Sequence, residues 1–224
     1  MTLTKLQNKY CVRFTKNDDY KLMLKYLTQC FHQSEAITQA LHLDIEYMRF
    51  HYEIFLNDTF LMNNSICVVD SNDQIVGVRY VGIDSNNKKY DTNNTETLDN
   101  FYNKFLKDYP SALPLFGIIE DAKVDMKKEL PNEIHTLLRT EIIIVPEQYR
   151  GLGIAQLLMK DGTDLLRKRF PDAQGDCAET TNPTALKLFE KNGYKKIRDL
   201  SYQTYGIPEV QNSPNKVTCV VTLF

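Results

Sequence analysis

Apolar residues follow two periods along this chain, one typical of strands and one typical of helices. Residues 142–145 are four consecutive β-branched residues, which suits a strand covered on both faces. Pro146 ends that strand because proline lacks the amide hydrogen that pairing needs. The apolar residues between 154 and 166 then share one face of a helix, which is predicted to end before Phe170 and Pro171. This strand and this helix are the clearest elements of the sequence.

The same two patterns predict the remaining elements. The turn composition of residues 70–73 indicates that the second and third strands form a hairpin. Strands are predicted at 10–14, 65–69, 75–81, 135–145, 176–180, 194–197 and 217–223, and helices at 18–31, 35–55, 98–109, 118–126, 154–169 and 183–192. Together they predict an α/β protein with a mixed sheet.

The length of 224 residues suits one α/β domain with a sizeable core. Residues 84–96 are polar and rich in asparagine, so we expect a surface loop there rather than a domain boundary. The chain is therefore predicted to be a single domain over residues 1–224, with a polar loop and a helical insertion at about 84–132.

Charge and cysteine content narrow the expected partners and compartment. With a net charge of −2, the chain has no basic footprint for nucleic acid or an anionic membrane, and neither is expected as a partner. Its five cysteines and four histidines lack the spacing of a disulfide framework or of a metal site, so we expect no metal and a reducing compartment. Neither a signal peptide nor a membrane span is visible, which predicts a cytoplasmic protein.

A glycine loop connects the clearest strand to the clearest helix. Gly151 and Gly153 carry no Cβ, so the backbone can adopt unusual angles and lie close to a ligand. The N–H groups that follow form the unsatisfied first turn of the helix, where anions such as phosphate bind. A Walker loop needs a lysine and a hydroxyl that are missing here, and a dinucleotide fingerprint needs a small residue where Gln156 stands. A nucleotide-binding domain is therefore a remote alternative.

The motif that remains, Gln148-x-x-Gly151-x-Gly153, resembles the signature of the GNAT family of acetyl-CoA-dependent N-acetyltransferases. Residues 182–194 match the family as well, and they form a capped helix with an asparagine N-cap, a proline at N1 and a glycine at the C-terminal end. The resemblance implies the GNAT fold, in which a mostly antiparallel sheet of about seven strands is splayed at strands 4 and 5 and flanked by helices.

The resemblance narrows to the arylalkylamine N-acetyltransferases of insects and nematodes. Residues 31–41 are similar to the Phe-x-x-x-Glu-Pro-Leu region of that branch, although Ala36 stands in place of its proline. Residues 201–205 and the strand that follows residues 213–216 also look like that branch. The resemblance covers nearly the whole chain, but only residues 141–194 are specific. It implies acetyl-CoA as the cosubstrate and a small-molecule amine as the partner, in a monomer or a homodimer.

The cofactor roles of the family fall on the strand and the glycine loop. The amides of Ile143 and Val145 would pair with the pantetheine arm as an added strand, because the family's sheet splays apart there. Gln148 and the loop backbone would hold the pyrophosphate, and Asn182 would contact the pantetheine. The loop residues with this implied role are Arg150, Gly151, Leu152, Gly153, Ile154 and Ala155.

Two glutamates are candidates for the general base. An alkylamine has a pKa of about 10.4, so it arrives as an ammonium and must lose a proton before it attacks a thioester. The resemblance implies that Glu35 takes this proton, but Ser34 is a good helix cap and the dipole alone favours a glutamate in the first turn. Glu141 is the rival, because a carboxylate in a hydrophobic strand needs a reason and other GNAT branches keep a base there. Both candidates remain open.

The acceptor pocket is predicted from aromatic residues. Tyr47 and Phe50 belong to a second stripe on the helix at 35–55, and Tyr202 lies in the block that the family uses to wall its amine pocket. Apolar walls with a few polar groups suit a small aromatic or aliphatic amine.

At the position of the acid that protonates the leaving thiolate, this chain differs from the family pattern. Many GNAT enzymes have a tyrosine where this chain has Phe189. If the thiolate needs a proton, the hydroxyl of Thr181 or Thr184, or the proton released by the amine, must supply it. Together with Ala36, this departure keeps open an acyl-CoA-binding module without catalysis. The other alternative is a GNAT enzyme for a polyamine, an amino acid or a protein lysine.

Overall fold

A seven-stranded sheet runs through the part of the chain that a computed structural model describes, residues 9–85, 104–211 and 213–224. The strands are β1 (Cys11–Phe14), β2 (Ile66–Val69), β3 (Ile75–Ser85), β4 (Thr136–Ile144), β5 (Gly175–Thr180), β6 (Lys195–Ser201) and β7 (Lys216–Leu223). They lie in the order β1-β2-β3-β4-β5-β7-β6, and all neighbours are antiparallel except β4 and β5. The predicted mixed, mostly antiparallel sheet and its β2–β3 hairpin are confirmed.

Helices cover both faces of this sheet. They are α1 (Tyr20–Tyr26), α2 (Ala36–Ala40), α3 (Ile45–Asn57), α4 (Thr59–Asn64), α5 (Leu113–Glu129), α6 (Ile154–Arg169) and α7 (Pro183–Lys191). Leu138 of β4 packs with Leu158 of α6, whereas its neighbour Leu137 packs with Ile118 of α5. Because successive strand residues point to opposite faces, α5 and α6 lie on opposite sides of the sheet.

Two predicted helices are less regular than their apolar spacing suggests. The helix predicted at 18–31 begins as a 3-10 turn and ends as a π-helical turn, Leu27–Phe31. The continuous helix predicted at 35–55 is wrong, because His42 has a φ of 49° and separates α2 from α3. Asp44 then caps α3, since its carboxylate accepts the Glu46 amide at 2.7 Å. The apolar spacing carries across this break and conceals it.

The predicted polar loop and the helix after it lie partly outside the described residues. Residues 86–96 and the first part of the 98–109 helix are not among them. Residues 104–108 are helical, and Phe105 is buried in the core. Asp84 and Ser85, assigned to the loop, are instead the last residues of β3, which is longer than predicted.

The parallel strands β4 and β5 are paired only near their first residues. Leu137 to Thr140 lie opposite Gly175 to Ala178, and no further β4–β5 pair occurs within the described residues. On its other side, β4 pairs with β3 on both sides of Glu141, which is an extra residue between two successive pairs and forms a β-bulge. The sheet therefore opens beside Glu141, as expected for the fourth and fifth strands.

A buried ion pair lies beside this opening. Arg79 of β3 and Asp176 of β5 are fully buried and form a salt bridge. The Nε of Arg79 donates to Thr140 Oγ1 at 2.9 Å, and its Nη1 donates to Thr163 Oγ1 of α6 at 2.8 Å. Thr140 Oγ1 in turn donates to Asp176 at 3.1 Å. This network connects three strands and α6 at the last β4–β5 pair.

Arg79→Met is expected to destabilise the fold strongly, because it leaves Asp176 as an unpaired charge in the interior. The free energy of unfolding, measured by urea denaturation, should fall by about 3–5 kcal/mol. Arg49→Met is the control, since Arg49 pairs with Glu53 on the surface of α3 at 3.0 Å, and it should cost about 0.5 kcal/mol. Equal losses in the two variants would contradict the role given to the buried pair.

Candidate functional site

The loop before α6 has the backbone conformation that its glycines predict. Gly151 and Gly153 have φ values of 74° and 83°, in the left-handed region that favours glycine. Gly153 is the N-cap of α6, and its carbonyl accepts a hydrogen bond from the Leu157 amide at 3.1 Å. The amides of residues 154–156 therefore belong to the first helical turn, at the positive end of the helix dipole.

Two positions in this region are glycine for different reasons. A Cβ at Gly77 of β3 would come within 2.6 Å of the Ile154 side chain, so this glycine lets α6 lie close to the sheet. A Cβ at Gly151 would meet nothing within 4 Å, so this residue is glycine because of its backbone angle rather than for lack of room. The exposed Arg150 connects the loop to the end of β4, since its Nε donates to the Val145 carbonyl at 3.2 Å. The loop thus offers an accessible backbone surface.

A cavity of about 720 Å³ lies where β4 and β5 separate. Residues 140–143 of β4 and residues 179–182 at the end of β5 line it, together with residues of α3, α5 and α7. Glu35 and Glu141 both line this cavity. The structure therefore brings the two candidate bases to one site.

Glu141 is the bulged residue of β4, and its side chain is 22% exposed. Among the described residues the closest cationic atom is Arg139 Nε, 4.0 Å from Glu141 Oε1. Gly82 of β3 leaves room for the carboxylate, because a Cβ there would come within 2.7 Å of Oε1. Burial raises the pKa of Glu141, and the charges of Lys123 and Arg139 oppose this rise. A carboxylate with a raised pKa in a cavity has the properties of a general base.

Glu35 is the N-cap of α2 and does not lie in its first turn. Its Oε2 accepts the Thr38 amide at 2.6 Å, and its Oε1 accepts the Thr181 hydroxyl at 3.0 Å. The proposed cap Ser34 is not the cap, because its hydroxyl donates to the Cys30 carbonyl at 2.8 Å. Both oxygens of Glu35 are therefore engaged, and the Glu35–Thr181 hydrogen bond connects α2 to the residue after β5.

Aromatic rings from α3 and α5 form one wall of the cavity. His51 lies edge-on to Phe116, with ring centroids 4.9 Å apart, and near Tyr52 and Phe55 at 5.6 and 6.4 Å. Burial, aided by the charge of Lys123, lowers the pKa of His51 to about 4. His51 is therefore a neutral imidazole at neutral pH, and this wall suits an apolar part of a ligand.

Two residues predicted for the acceptor pocket do not line the cavity. Tyr47 and Phe50 are 53% and 52% exposed on α3, and Tyr47 stacks on Tyr109 with ring centroids 4.4 Å apart. Another face of α3 lines the cavity, through Met48, His51, Tyr52 and Phe55, and of these Met48 and Tyr52 are also buried in the core. One face of α3 thus contributes to both the hydrophobic core and the cavity lining.

The remaining predicted residues are divided between the cavity and its surroundings. Thr181 and Asn182 line the cavity, and Asn182 also caps α7, because its Oδ1 accepts the Thr184 amide at 2.8 Å. Thr184 is exposed, whereas Tyr202 is fully buried beside the cavity rather than in its lining. Phe189 is buried and lines the cavity without offering a hydroxyl.

Three charged residues line the cavity without having been predicted: Glu120, Lys123 and Glu179. Glu120 and Lys123 have the spacing of an ordinary surface pair on a helix, which hides their position in the sequence. Glu179 does carry a signal, since it lies in a predicted strand, as Glu141 does.

Comparison with known proteins finds similarity to acetyltransferases. No family model matches the chain. A curated acetyltransferase of Agrobacterium fabrum is 38% identical over 69 residues, which make up 31% of this chain and 49% of that protein. The chain thus matches about half the length of this curated relative.

Solved structures match over nearly the whole chain. Arylalkylamine N-acetyltransferase 2 from Aedes aegypti is 17% identical, with a TM-score of 0.73 over 96% of this chain and 98% of that chain. An agmatine N-acetyltransferase is 17% identical, with a TM-score of 0.68 over 96% and 100%. Arabidopsis thaliana NAA60 in complex with acetyl-CoA is 14% identical, with a TM-score of 0.54 over 96% and 98%. The chain has the fold of the GNAT N-acetyltransferases, and the resemblance predicted from its glycine loop is confirmed.

The described residues contain neither a membrane-spanning helix nor a recognisable metal site. None of the helices in residues 9–85, 104–211 and 213–224 is both long and apolar enough to cross a bilayer. The same ranges contain no group of three or more histidine, cysteine or acidic side chains with the arrangement of a metal site.

His51 is expected to make the fold sensitive to mild acid. Because its pKa is about 4 in the folded protein and 6.5 as the reference value, its contribution to stability is present above pH 6.5 and is lost as the pH falls toward 4. The loss should reach at most about 3 kcal/mol. His51→Phe should reduce the slope of unfolding free energy against pH over this range. Parallel curves for the two proteins would show that His51 is protonated as readily in the folded state as in the unfolded state.

Proposed function

We propose that this chain is an acetyl-CoA-dependent N-acetyltransferase that acts on the primary amine of a small molecule. The observation that carries this proposal is the juxtaposition of a free β4 edge, a glycine loop at a helix N-terminus and a carboxylate-lined cavity. Support also comes from the structural neighbours, which are N-acetyltransferases, and from NAA60, which is seen in complex with acetyl-CoA.

The proposed cofactor site uses backbone groups more than side chains. The β4 edge that faces away from β3 has no β5 partner after Thr140, so the amides of Ile143 and Val145 are assigned to the pantetheine arm as an added strand. The positive φ values of Gly151 and Gly153 expose the first amides of α6, which are assigned to the pyrophosphate. Gln148 and Asn182 are assigned as supporting contacts. Acetyl-CoA supplies an acyl thioester that an amine nitrogen can attack.

Glu141 is our assignment for the general base. A primary amine with a pKa of about 10.4 must lose a proton before its lone pair can attack. Burial raises the pKa of Glu141, which improves it as an acceptor, and Arg139 Nε lies 4.0 Å from its Oε1. Glu35 already accepts hydrogen bonds from Thr38 and Thr181, so we assign it to hold Thr181 at the cavity.

The acceptor is proposed to be a small arylalkylamine-like molecule. Its ammonium group would be drawn to the carboxylates, and its apolar part would pack on the wall of His51, Phe55 and Phe116. A second candidate is a polyamine-like acceptor with two cationic ends. It is favoured by the four glutamates in the cavity lining, Glu35, Glu120, Glu141 and Glu179.

Gly151→Ala tests the assigned pyrophosphate site. The added methyl group meets no protein atom within 4 Å, but it would project where the backbone is assigned to approach the ligand. We expect a loss of stability of about 1 kcal/mol and at least tenfold weaker acetyl-CoA binding by calorimetry, which is about 1.4 kcal/mol. Gly206→Ala is the matched control, because Gly206 also has a positive φ, 68°, and open space around its Cβ position. Unchanged acetyl-CoA affinity in the Gly151 variant would reject the assignment.

Glu141→Gln and Glu35→Gln test the assignment of the base. With Glu141→Gln, kcat for thiol release should fall by about 10²- to 10³-fold, while the Kd for acetyl-CoA stays nearly unchanged. The variant should also be more stable at neutral pH, because a folded-state pKa above the reference value of 4.5 means that ionisation of Glu141 disfavours folding above that pH. A large loss of kcat with Glu35→Gln and none with Glu141→Gln would transfer the role to Glu35. No thiol release by the unaltered protein with aryl, alkyl, polyamine or peptide amines would reject the function itself.

A further inference from the structure

Lys123 lies on α5, in the wall of the cavity that contains Glu141. Its Nζ donates to Glu120 Oε1 at 3.1 Å. The Lys123 side chain is 29% exposed, whereas that of Glu120 is 66% exposed. An ion pair whose acidic partner is largely in water is weak, so Glu120 only partly neutralises Lys123. Lys123 therefore brings a positive charge to the wall of the cavity.

Other charged groups lie around Glu141, and among them the charges of Glu179 and Glu120 add to the rise of its pKa. Arg139 Nη2 donates to Asp84 Oδ2 of β3 at 2.9 Å, and Nη1 donates to Glu179 of β5. Lys127 of α5 lies 2.6 Å from the second Asp84 oxygen. The nearby Cys177 thiol and the His51 imidazole are neutral at pH 7, because burial raises the pKa of the thiol and lowers that of the imidazole. Arg139 and Lys127 are thus committed to Asp84 and Glu179.

Lys123 differs from Arg139 and Lys127 because its ion-pair partner, Glu120, is exposed rather than buried. Burial raises the pKa of Glu141, and of the two cations that oppose this rise Lys123 has the larger effect and Arg139 the smaller. Glu141 acts on Lys123 in return. Burial lowers the pKa of Lys123, but the charge of Glu141 contributes to a net rise, so the ammonium remains charged. The two groups favour each other's charged forms.

We propose that Lys123 is a positioning residue whose ammonium keeps Glu141 ionised in the cavity, ready to take the proton of the acceptor amine. The inference rests on the proposed function. In that reaction the proton passes from the ammonium nitrogen to Glu141, and the freed lone pair forms the new N–C bond. The C–S bond breaks, its electron pair leaves on sulfur as the thiolate, and the second proton that the acylated nitrogen loses converts this thiolate to the thiol. A Glu141 that is already protonated cannot accept the proton, so the reaction depends on the charge at position 123.

The test is the pH dependence of kcat/KM for Lys123→Met and Lys123→Arg, with acetyl-CoA and 2-phenylethylamine and with thiol release as the readout. On the acid limb, at pH 6.5, the methionine variant should lose about tenfold in kcat/KM, and its acid limb should move to higher pH. The arginine variant should keep the acid limb of the unaltered protein. Lys123→Gln removes the charge but keeps a donor for Glu120, and it takes the place of Lys123→Met if that variant does not fold.

A superimposable acid limb in the charge-removing variants would overturn the inference and leave the proposed function standing. An arginine variant that behaves like the methionine variant would overturn it as well, because the charge would then not be the cause. The activity of the unaltered protein distinguishes failure of the inference from failure of the proposed function. If it releases no thiol with this amine or with a wider panel of amines, the proposed function fails, and the inference fails with it.

A double-mutant cycle gives a readout that does not depend on activity. Lys123→Met should lower Tm more when residue 141 is glutamate than when it is replaced in Glu141→Gln, because only the carboxylate interacts with the lysine charge. Additive changes in Tm would show that the two residues are not coupled and would overturn the inference.

Discussion

The opening between β4 and β5 depends on two ion pairs near the point where the strands separate, one that connects β5 to β3 and one that connects β5 to β4. Arg79 and Asp176 form the pair on the α6 side of the sheet, and Arg139 and Glu179 form another on the α5 side. Ladder hydrogen bonds end at Thr140, so side-chain interactions secure the last paired residues. Burying charges is costly, and such a pair is retained more for a defined geometry than for stability. Here the defined geometry is the position of the cavity relative to the glycine loop.

The candidate site places a carboxylate where a regular strand would not. A bulge bends a strand locally and re-aims one side chain, and Glu141 occupies that extra position in β4. The residues on either side keep their strand pairing, since Thr140 opposes Val81 of β3 and Ile142 opposes Tyr80. An ionisable group can therefore lie in an apolar sheet at the edge of a cavity. Burial raises its pKa there, which suits a proton acceptor but means that its ionisation opposes folding.

Local signals in the sequence predicted the fold and the loop correctly, because each depends on residues close together in the chain. The β-branched run before Pro146, the two loop glycines and the Asn182 cap act within one turn or one strand. The breaks that depend on packing were missed. α3 begins anew at Asp44 because His42 adopts a left-handed conformation, and no apolar period reveals this.

The cavity wall was missed for a related reason. Lys123 and Glu120 have the spacing of a surface pair, and only the position of α5 against the open sheet brings them to the cavity. Tyr47 and Phe50 of α3 were predicted to line the acceptor pocket. Tertiary packing leaves them exposed and places another face of α3 at the cavity. Gly82 and Glu141 also depend on each other across the sheet, because a side chain at position 82 would collide with the carboxylate. Among homologous chains these two positions should covary, and a lineage that gives up the acidic residue becomes free to fill the space opposite it.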